Sequence, residues 1–246
     1  MPVPRSCLLA AWSNAFFAGQ ASLDQVVDAV TRADGPHVVT GLPDIPAAAH
    51  LRELLVAWRR AGERVRAVLP VPGDVRGVPG PRPFPTVALD AGEAAFAGGI
   101  GVAPAVVDHA PSSAPASVIW QAYAVGLVAA DHLSLEDTGY ELAVAIRECA
   151  STLTAAQVSG STGAVGPALS DARRAGEALE LPPGHPPRAV GLLAQAERLQ
   201  AVVDLALADP LGGAVDRAGV SLRVDALRPL ATAVRRARLA GYNAGG

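Results

Sequence analysis

Residues 135–156 read LEDTGYELAVAIRECASTLTAA. Within them Leu135, Gly139, Leu142, Ile146, Cys149, Leu153 and Ala156 recur at steps of four and three, which is the seam of a helix laid along another helix. Ser134 precedes the stretch and offers its hydroxyl as a cap, with Asp137 at the third position. Towards the N-terminus the pattern is different. Short β-rich runs, His37 to Leu42, Arg64 to Leu69, Val102 to Val107 and Ser117 to Tyr123, alternate with connections rich in proline and glycine. The change of period near residue 130 divides the chain into an α/β domain with a small mixed sheet, residues 1–130, and a C-terminal helical bundle, residues 131–246.

Three more amphipathic segments follow the quoted one. The second shares a face of Val165, Ala168, Ala172, Ala175 and Leu179. The third carries Leu192, Ala196, Leu199, Val203 and Ala206 and stops before Asp209-Pro210. The last carries Val220, Val224, Leu227, Ala231 and Val234, with Pro229 inside it as a kink or restart. Four such segments on short connections predict an antiparallel four-helix bundle.

In the first part, Ser22 and Gln25 form a capping box for a helix ending near Gly35. Leu51, Leu54, Leu55 and Trp58 define a further helix, closed by Gly62, between the strands at His37 and Arg64. That β-α-β spacing predicts parallel strands and a right-handed crossover. A proline-rich loop spans Pro70 to Pro85, residues 86–97 suit either helix or strand, Gly98-Gly99-Ile100-Gly101 reads as a turn or strand bend, and the two later strands pair as a hairpin. The expected class is α+β or α/β, a small mixed sheet with flanking helices followed by the bundle.

Composition narrows the function classes. Half of the 246 residues are hydrophobic and 4% are aromatic, so the core is built from Ala, Val and Leu and offers few rings for base stacking. All twenty basic residues are arginine. A chain without lysine forms no Schiff base and has no P-loop lysine, which excludes pyridoxal-phosphate enzymes and ordinary P-loop NTPases. The net charge of −3 lacks the general basic excess of a nucleic-acid binder. Cys7 and Cys149 lie far apart and read as small buried hydrophobes of a reducing compartment. The apolar run Cys7 to Ala18 resembles a short signal peptide, but Ser13 and Asn14 interrupt it, so a helix opened by Ser6 and stopped at Gly19 is expected. No run reaches the length of a membrane span, and the expected location is cytoplasmic.

Candidate site residues come from two places. If the strands at His37 and Arg64 are parallel neighbours, Asp44, Asp74 and Arg76 lie together at their carboxyl ends, where ligands of α/β sheets collect. Two carboxylates bind a divalent cation or share a proton, and an arginine holds an anion. Asp44 equally serves as the N-cap of a helix beginning near Pro46, and Pro72-Gly73-Asp74 is ordinary turn chemistry. In the last helix Arg217, Arg223, Arg228, Arg235, Arg236 and Arg238 are accompanied only by Asp225, giving +5 over residues 217–241. Arg235, Arg236 and Arg238 also suit a helix C-terminus electrostatically. Arg228, Arg235, Arg236 and Arg238 are the candidate partner-binding set. The five histidines show no metal-binding spacing, no nucleophile elbow is present, and no cofactor or metal is expected.

The stretches Leu54-Leu55-Val56-Ala57-Trp58-Arg59-Arg60 and Leu69-Pro70-Val71-Pro72-Gly73-Asp74-Val75-Arg76-Gly77, with the helices Leu192 to Asp209 and Leu230 to Asn243, resemble a group of uncharacterised proteins of high-GC actinobacteria. The resemblance covers nearly the whole chain. It implies a bacterial cytoplasmic protein and carries over no functional residue. A link to chromosome partition or cell division is an expectation attached to such organisms, and no motif carries it. The expected function is a non-enzymatic protein-interaction or regulatory module with an unidentified protein partner or a second copy as its target. The alternatives are a small-molecule binder or enzyme around Asp44 and Asp74, and a nucleic-acid-associated protein using the last helix.

Overall fold

A computed structural model describes residues 3–43, 45, 48–108, 115–126, 133–155, 179–208 and 217–245. The chain divides into two compact units, one of residues 3–132, 180–185 and 242–246 and the other of residues 133–179 and 186–241 with the first two residues.

The first unit holds α1 (Arg5–Phe17), α2 (Leu23–Thr31), β1 (His37–Thr40), α3 (Leu51–Ala61), β2 (Arg66–Val68), α4 (Phe84–Ala91), β3 (Ala94–Ala97), β4 (Ile100–Val107) and β5 (Ser117–Ala124). The strands form one five-stranded mixed sheet in the order β1-β5-β4-β3-β2, so the sheet is larger than the small one expected. Among the described strands, only β1 and β5 pair in parallel. β2 with β3, β3 with β4, and β4 with β5 are antiparallel. The expected neighbouring pair of parallel strands is therefore corrected: β1 and β2 lie at opposite edges and run in opposite directions. The physical reason is that two hairpins, β3–β4 and β4–β5, fill the space between them. The first turns on Gly98 and Gly99, both at positive φ (53° and 76°), the backbone that a two-residue hairpin loop demands and that glycine adopts without strain. The second is the hairpin expected from sequence, with Val102 opposite Ala122 and Pro104 opposite Trp120. Residues 86–97 resolve into both alternatives, the end of α4 followed by β3.

Both faces of the sheet are covered. On one, Val68, Ala94 and Ala103 pack with Phe84 and Ala88 of α4. Gly101 makes room there, since a Cβ would stand 2.6 Å from the Phe84 ring. The other face presents Val39, Ala67, Ala95, Val102 and Trp120, all buried. α1 packs against β2, β3 and β4, and α3 against β1. Small alanine side chains on the strands let a helix backbone come close. α1 is covered on most of its circumference: nine of its residues, Ser6, Cys7, Leu9, Ala10, Ala11, Trp12, Ser13, Asn14 and Ala15, are buried. The run that resembles a signal peptide is thus a central helix of this unit. The Ser22–Gln25 capping box forms as read, with both reciprocal bonds present. α3 starts at Leu51 and not near Pro46, because the His50 backbone N–H donates to Glu53 Oε2 (2.8 Å) and closes the helix there.

The exposed edges of a sheet invite pairing with other chains. Here each edge is occupied. On β1, Val39 and Ala49 exchange N–H···O bonds of 2.8 Å. On β2 two carboxamides take the place of a neighbouring strand. Asn14 donates to the Val65 carbonyl (2.8 Å) and accepts from the Val65 N–H (2.9 Å). Asn243 does the same for Ala67, at 3.0 and 2.8 Å. Arg64 fixes the segment by donating to the Asn243 carbonyl at 3.0 Å.

The second unit holds α5 (Leu135–Ala155), α6 (Pro187–Ala208) and α7 (Arg217–Tyr242). Ser134 Oγ accepts from the N–H groups of Glu136 and Asp137, each at 3.2 Å. Leu142 and Cys149 of α5, Leu192, Ala196 and Val203 of α6, and Leu227 and Val234 of α7 form one core, with Leu135, Ile146, Leu153, Leu199 and Ala231 packed at its margin. Among the described residues, the stripe Leu192, Ala196, Leu199, Val203 and Ala206 is packed throughout, as are Leu135, Leu142, Ile146, Cys149 and Leu153 of α5 and Leu227, Ala231 and Val234 of α7. Pro229 lies inside α7, which continues through it, so of the expected kink or restart the restart is absent. The segment containing Val165, Ala168, Ala172 and Ala175 lies outside the described residues.

Candidate functional site

The strand-end arrangement of Asp44, Asp74 and Arg76 loses its geometric basis, because the carboxyl ends of β1 and β2 belong to opposite edges of the sheet. Asp44 lies outside the described residues. Asp74 and Arg76 meet each other. The Arg76 guanidinium grips both Asp74 oxygens, at 2.8 and 2.9 Å, in a fork that closes the turn whose backbone bonds join Val71 and Asp74. Arg76 is more than half exposed, so the pair is a surface turn clamp.

A buried polar network that the sequence did not reveal links α1, the segment after α2, β1 and β5. Arg5 holds Asp34 with two bonds, Nε to Oδ2 at 2.7 Å and Nη2 to Oδ1 at 2.6 Å. Trp120 donates its indole N–H to His37 Nδ1 at 3.1 Å. The proton of a neutral His37 ring is therefore on Nε2, which faces Asp34 Oδ2 at 3.4 Å, an electrostatic contact too long for a strong hydrogen bond. Carboxylate next to imidazole has the composition of a catalytic pair, but Trp120 occupies the nitrogen that would act as base and the ring is sealed from water. The network anchors β1 to β5.

Its titration has a definite sign. Arg5, more than the opposing desolvation, holds the Asp34 carboxyl below its ordinary value of 3.8. Burial, only partly offset by Asp34, pushes the His37 imidazole below 6.5. In both cases the native state takes up its proton less readily than the unfolded chain, so stability present at neutral pH is lost as pH falls. The first loss begins below 6.5 through His37 and the second below 3.8 through Asp34. The melting temperature is expected to decline between pH 6.5 and 5, and His37→Gln is expected to flatten that decline while lowering the value at pH 7.5. A constant wild-type melting temperature over this range, or a decline that His37→Gln leaves unchanged, contradicts this role of His37.

The arginines of α7 are not one surface. Arg238 is buried, its side chain 5% exposed, and its Nε donates to Glu197 Oε1 of α6 at 2.8 Å. Arg236 donates to Glu141 Oε2 of α5 at 3.1 Å. Arg235 is half-buried. Arg228 is the most exposed of the four, 75%, with Asp225 3.9 Å away. An accessible arginine face therefore reduces to Arg228, with Arg235 and Arg236 partly covered.

Arg228 and Arg236 border a groove of about 600 Å³ between α5 and α7. Its floor is Val144, Ala145, Pro229 and Ala233, with Tyr140 at one end. The α5 wall carries Glu141 and Glu148, and the α7 wall carries Asp225, Arg228 and Arg236. The Glu141–Arg236 pair joins the start of α5 to the end of α7, so the two helices run antiparallel. Tyr140 is 70% exposed, the largest exposure of any described large hydrophobic residue. It lies just outside the apolar seam, which is why a reading of periodicity passes over it. Among the described residues no group of three His, Cys, Asp or Glu side chains can hold a metal ion, and no helix is long and apolar enough to cross a membrane.

Fold and surface together define a two-unit α+β protein, with a five-stranded mixed sheet in one unit and a grooved set of helices in the other. Residues 6–134 match the Rv1486c-like protein, N-terminal domain, and residues 136–239 match the Rv1486c-like protein, C-terminal domain, so the chain belongs to the Rv1486c-like family. It is 30% identical over 280 residues to the uncharacterized protein Rv1486c of Mycobacterium tuberculosis (strain H37Rv), covering 97% of this chain and 96% of the relative. It is 27% identical to the uncharacterized protein ML1804 of Mycobacterium leprae, with the same coverage. The actinobacterial resemblance is thereby shown. No solved structure matches the chain.

Proposed function

We propose that the protein is a non-enzymatic interaction module of the bacterial cytoplasm that docks a protein partner in the groove between α5 and α7. The supporting observation is that groove: an apolar floor between two antiparallel helices, an exposed tyrosine at its end and charges on both walls. Helical partners bind such grooves by laying an apolar face on the floor, and tyrosines are frequent anchors of binding energy. Acidic side chains on one wall and arginines on the other disfavour a nucleic acid, whose phosphates meet repulsion from Glu141, Glu148 and Asp225.

Placing the photo-crosslinking residue benzoylphenylalanine at position 140 of the full chain, in actinobacterial cells, tests this directly. Illumination is expected to give discrete adducts that are absent when the same residue replaces Arg52, an exposed position of the other unit. No adduct at 140, or the same adducts from both positions, overturns the reading.

A further inference from the structure

We infer that the occupant of the α5–α7 groove is the same groove of a second copy of this chain, a deepening that rests on the docking surface proposed above. The argument is charge symmetry. The acids Glu141 and Glu148 stand on the α5 wall, and both groove arginines, Arg228 and Arg236, stand on the α7 wall, with Asp225 the one acid beside them. A uniformly acidic or uniformly basic partner segment meets one matching wall and one repelling wall. A surface of this kind is matched by itself, provided the symmetry axis has the right direction.

Two twofold axes can stack the two grooves face to face. An axis across the helices places α5 over α5 and sets acids against acids. An axis along the groove places each α5 over the partner's α7, so that acids meet arginines on both sides. Antiparallel α5 and α7 also bring the levels into register. Glu141 is level with Arg236, which it contacts at 3.1 Å, and one α5 span further along, Glu148 is level with the Arg228 end of α7. The second axis therefore generates two equivalent Glu148–Arg228 contacts between copies. The same operation keeps each Tyr140 at its own level, so its exposed ring lies over the Arg236 end of the other copy's α7.

The available area is sufficient. α5 has 21 residues and α7 has 26. Helices about 10 Å wide and about 30 Å long offer roughly 600 Å² per copy, or roughly 1,200 Å² in total, which is the lower end for a specific interface.

Sedimentation of the purified full chain from micromolar to hundred-micromolar concentration provides the test. A reversible dimer is expected, weakened about tenfold or more by Glu148→Arg and likewise by Arg228→Glu. Combining E148R with R228E, and equally mixing the two single variants with each other, is expected to restore association. Tyr140→Ala is expected to weaken the dimer without reversing with charge. A monomer throughout the concentration range, or a dimer indifferent to both reversals, overturns the inference. The crosslink at position 140 separates the two levels: adducts of twice the chain mass support self-association, adducts with other proteins alone overturn it while leaving the docking groove in place, and no adduct overturns both.

Discussion

Arg238→Met is expected to lower stability by about 3–5 kcal/mol, read as the midpoint of urea unfolding. Arg238 and Glu197 are both almost wholly enclosed, at 5% and 4% exposure, and their 2.8 Å contact lies within the α5–α6–α7 unit. Removing only the guanidinium leaves Glu197 enclosed without the charge that faces it. A carboxylate in an apolar core is far costlier than a surface one, so most of the expected loss is desolvation of the remaining partner and not the value of the pair itself. That distinction has its own measurement. Glu197→Leu added to Arg238→Met is expected to recover most of the loss, because a pair of apolar side chains needs no compensation. A single variant within about 1 kcal/mol of the parent, against the typical 3–5 for a broken buried pair, contradicts the enclosed ion pair.

Asn14→Leu is expected to cost about 2–6 kcal/mol, since two buried peptide groups lose their partners at about 1–3 kcal/mol each. Leucine has the same branched heavy-atom skeleton, and its carbon atoms can neither accept from the Val65 N–H nor donate to the Val65 carbonyl. Both residues are buried, so water does not replace the missing bonds. Asn243→Leu is expected to cost less, because its pairing with Ala67 is only partly buried and solvent takes over part of it. Amide exchange discriminates the cases: in Asn14→Leu the Val65 N–H is expected to exchange faster while the Val102 N–H within the sheet keeps its protection. Equal stability of Asn14→Leu and the parent contradicts the edge assignment.

Asn14 also marks how far sequence reasoning reaches. Its position as a polar break in an apolar helix is visible in the chain, and its purpose is not, since the group it satisfies is 51 residues away. The same limit applies to the sheet. The β4–β5 hairpin is legible from its alternation and its short connection, but strand order depends on which distant edges meet. A helix of ordinary length between β1 and β2 suggests neighbours, whereas the Gly98–Gly99 turn decides the matter by folding β3 onto β4. The strand-neighbour argument for the candidate acidic site falls with that assumption. In α7 the arginines adjoin in sequence but successive helical residues point about 100° apart, so Arg235, Arg236 and Arg238 face different surroundings. The helical seam itself is fully readable, because a repeat of four and three encodes its own packing face. The groove is not, since it is made by the faces that such a repeat leaves over.

The carboxamide of Asn243 closes a strand edge formed 176 residues earlier in the chain. Synthesis therefore delivers the sheet long before it delivers the group that seals it. While the later residues are still being added, Ala67 presents its outer peptide group to whatever is nearby, including a neighbouring nascent chain on the same messenger. A fragment ending at the boundary between the two family domains stays in that condition permanently. The N-terminal half expressed alone is expected to aggregate through β2, and co-expression of residues 135–246 is the natural remedy to try.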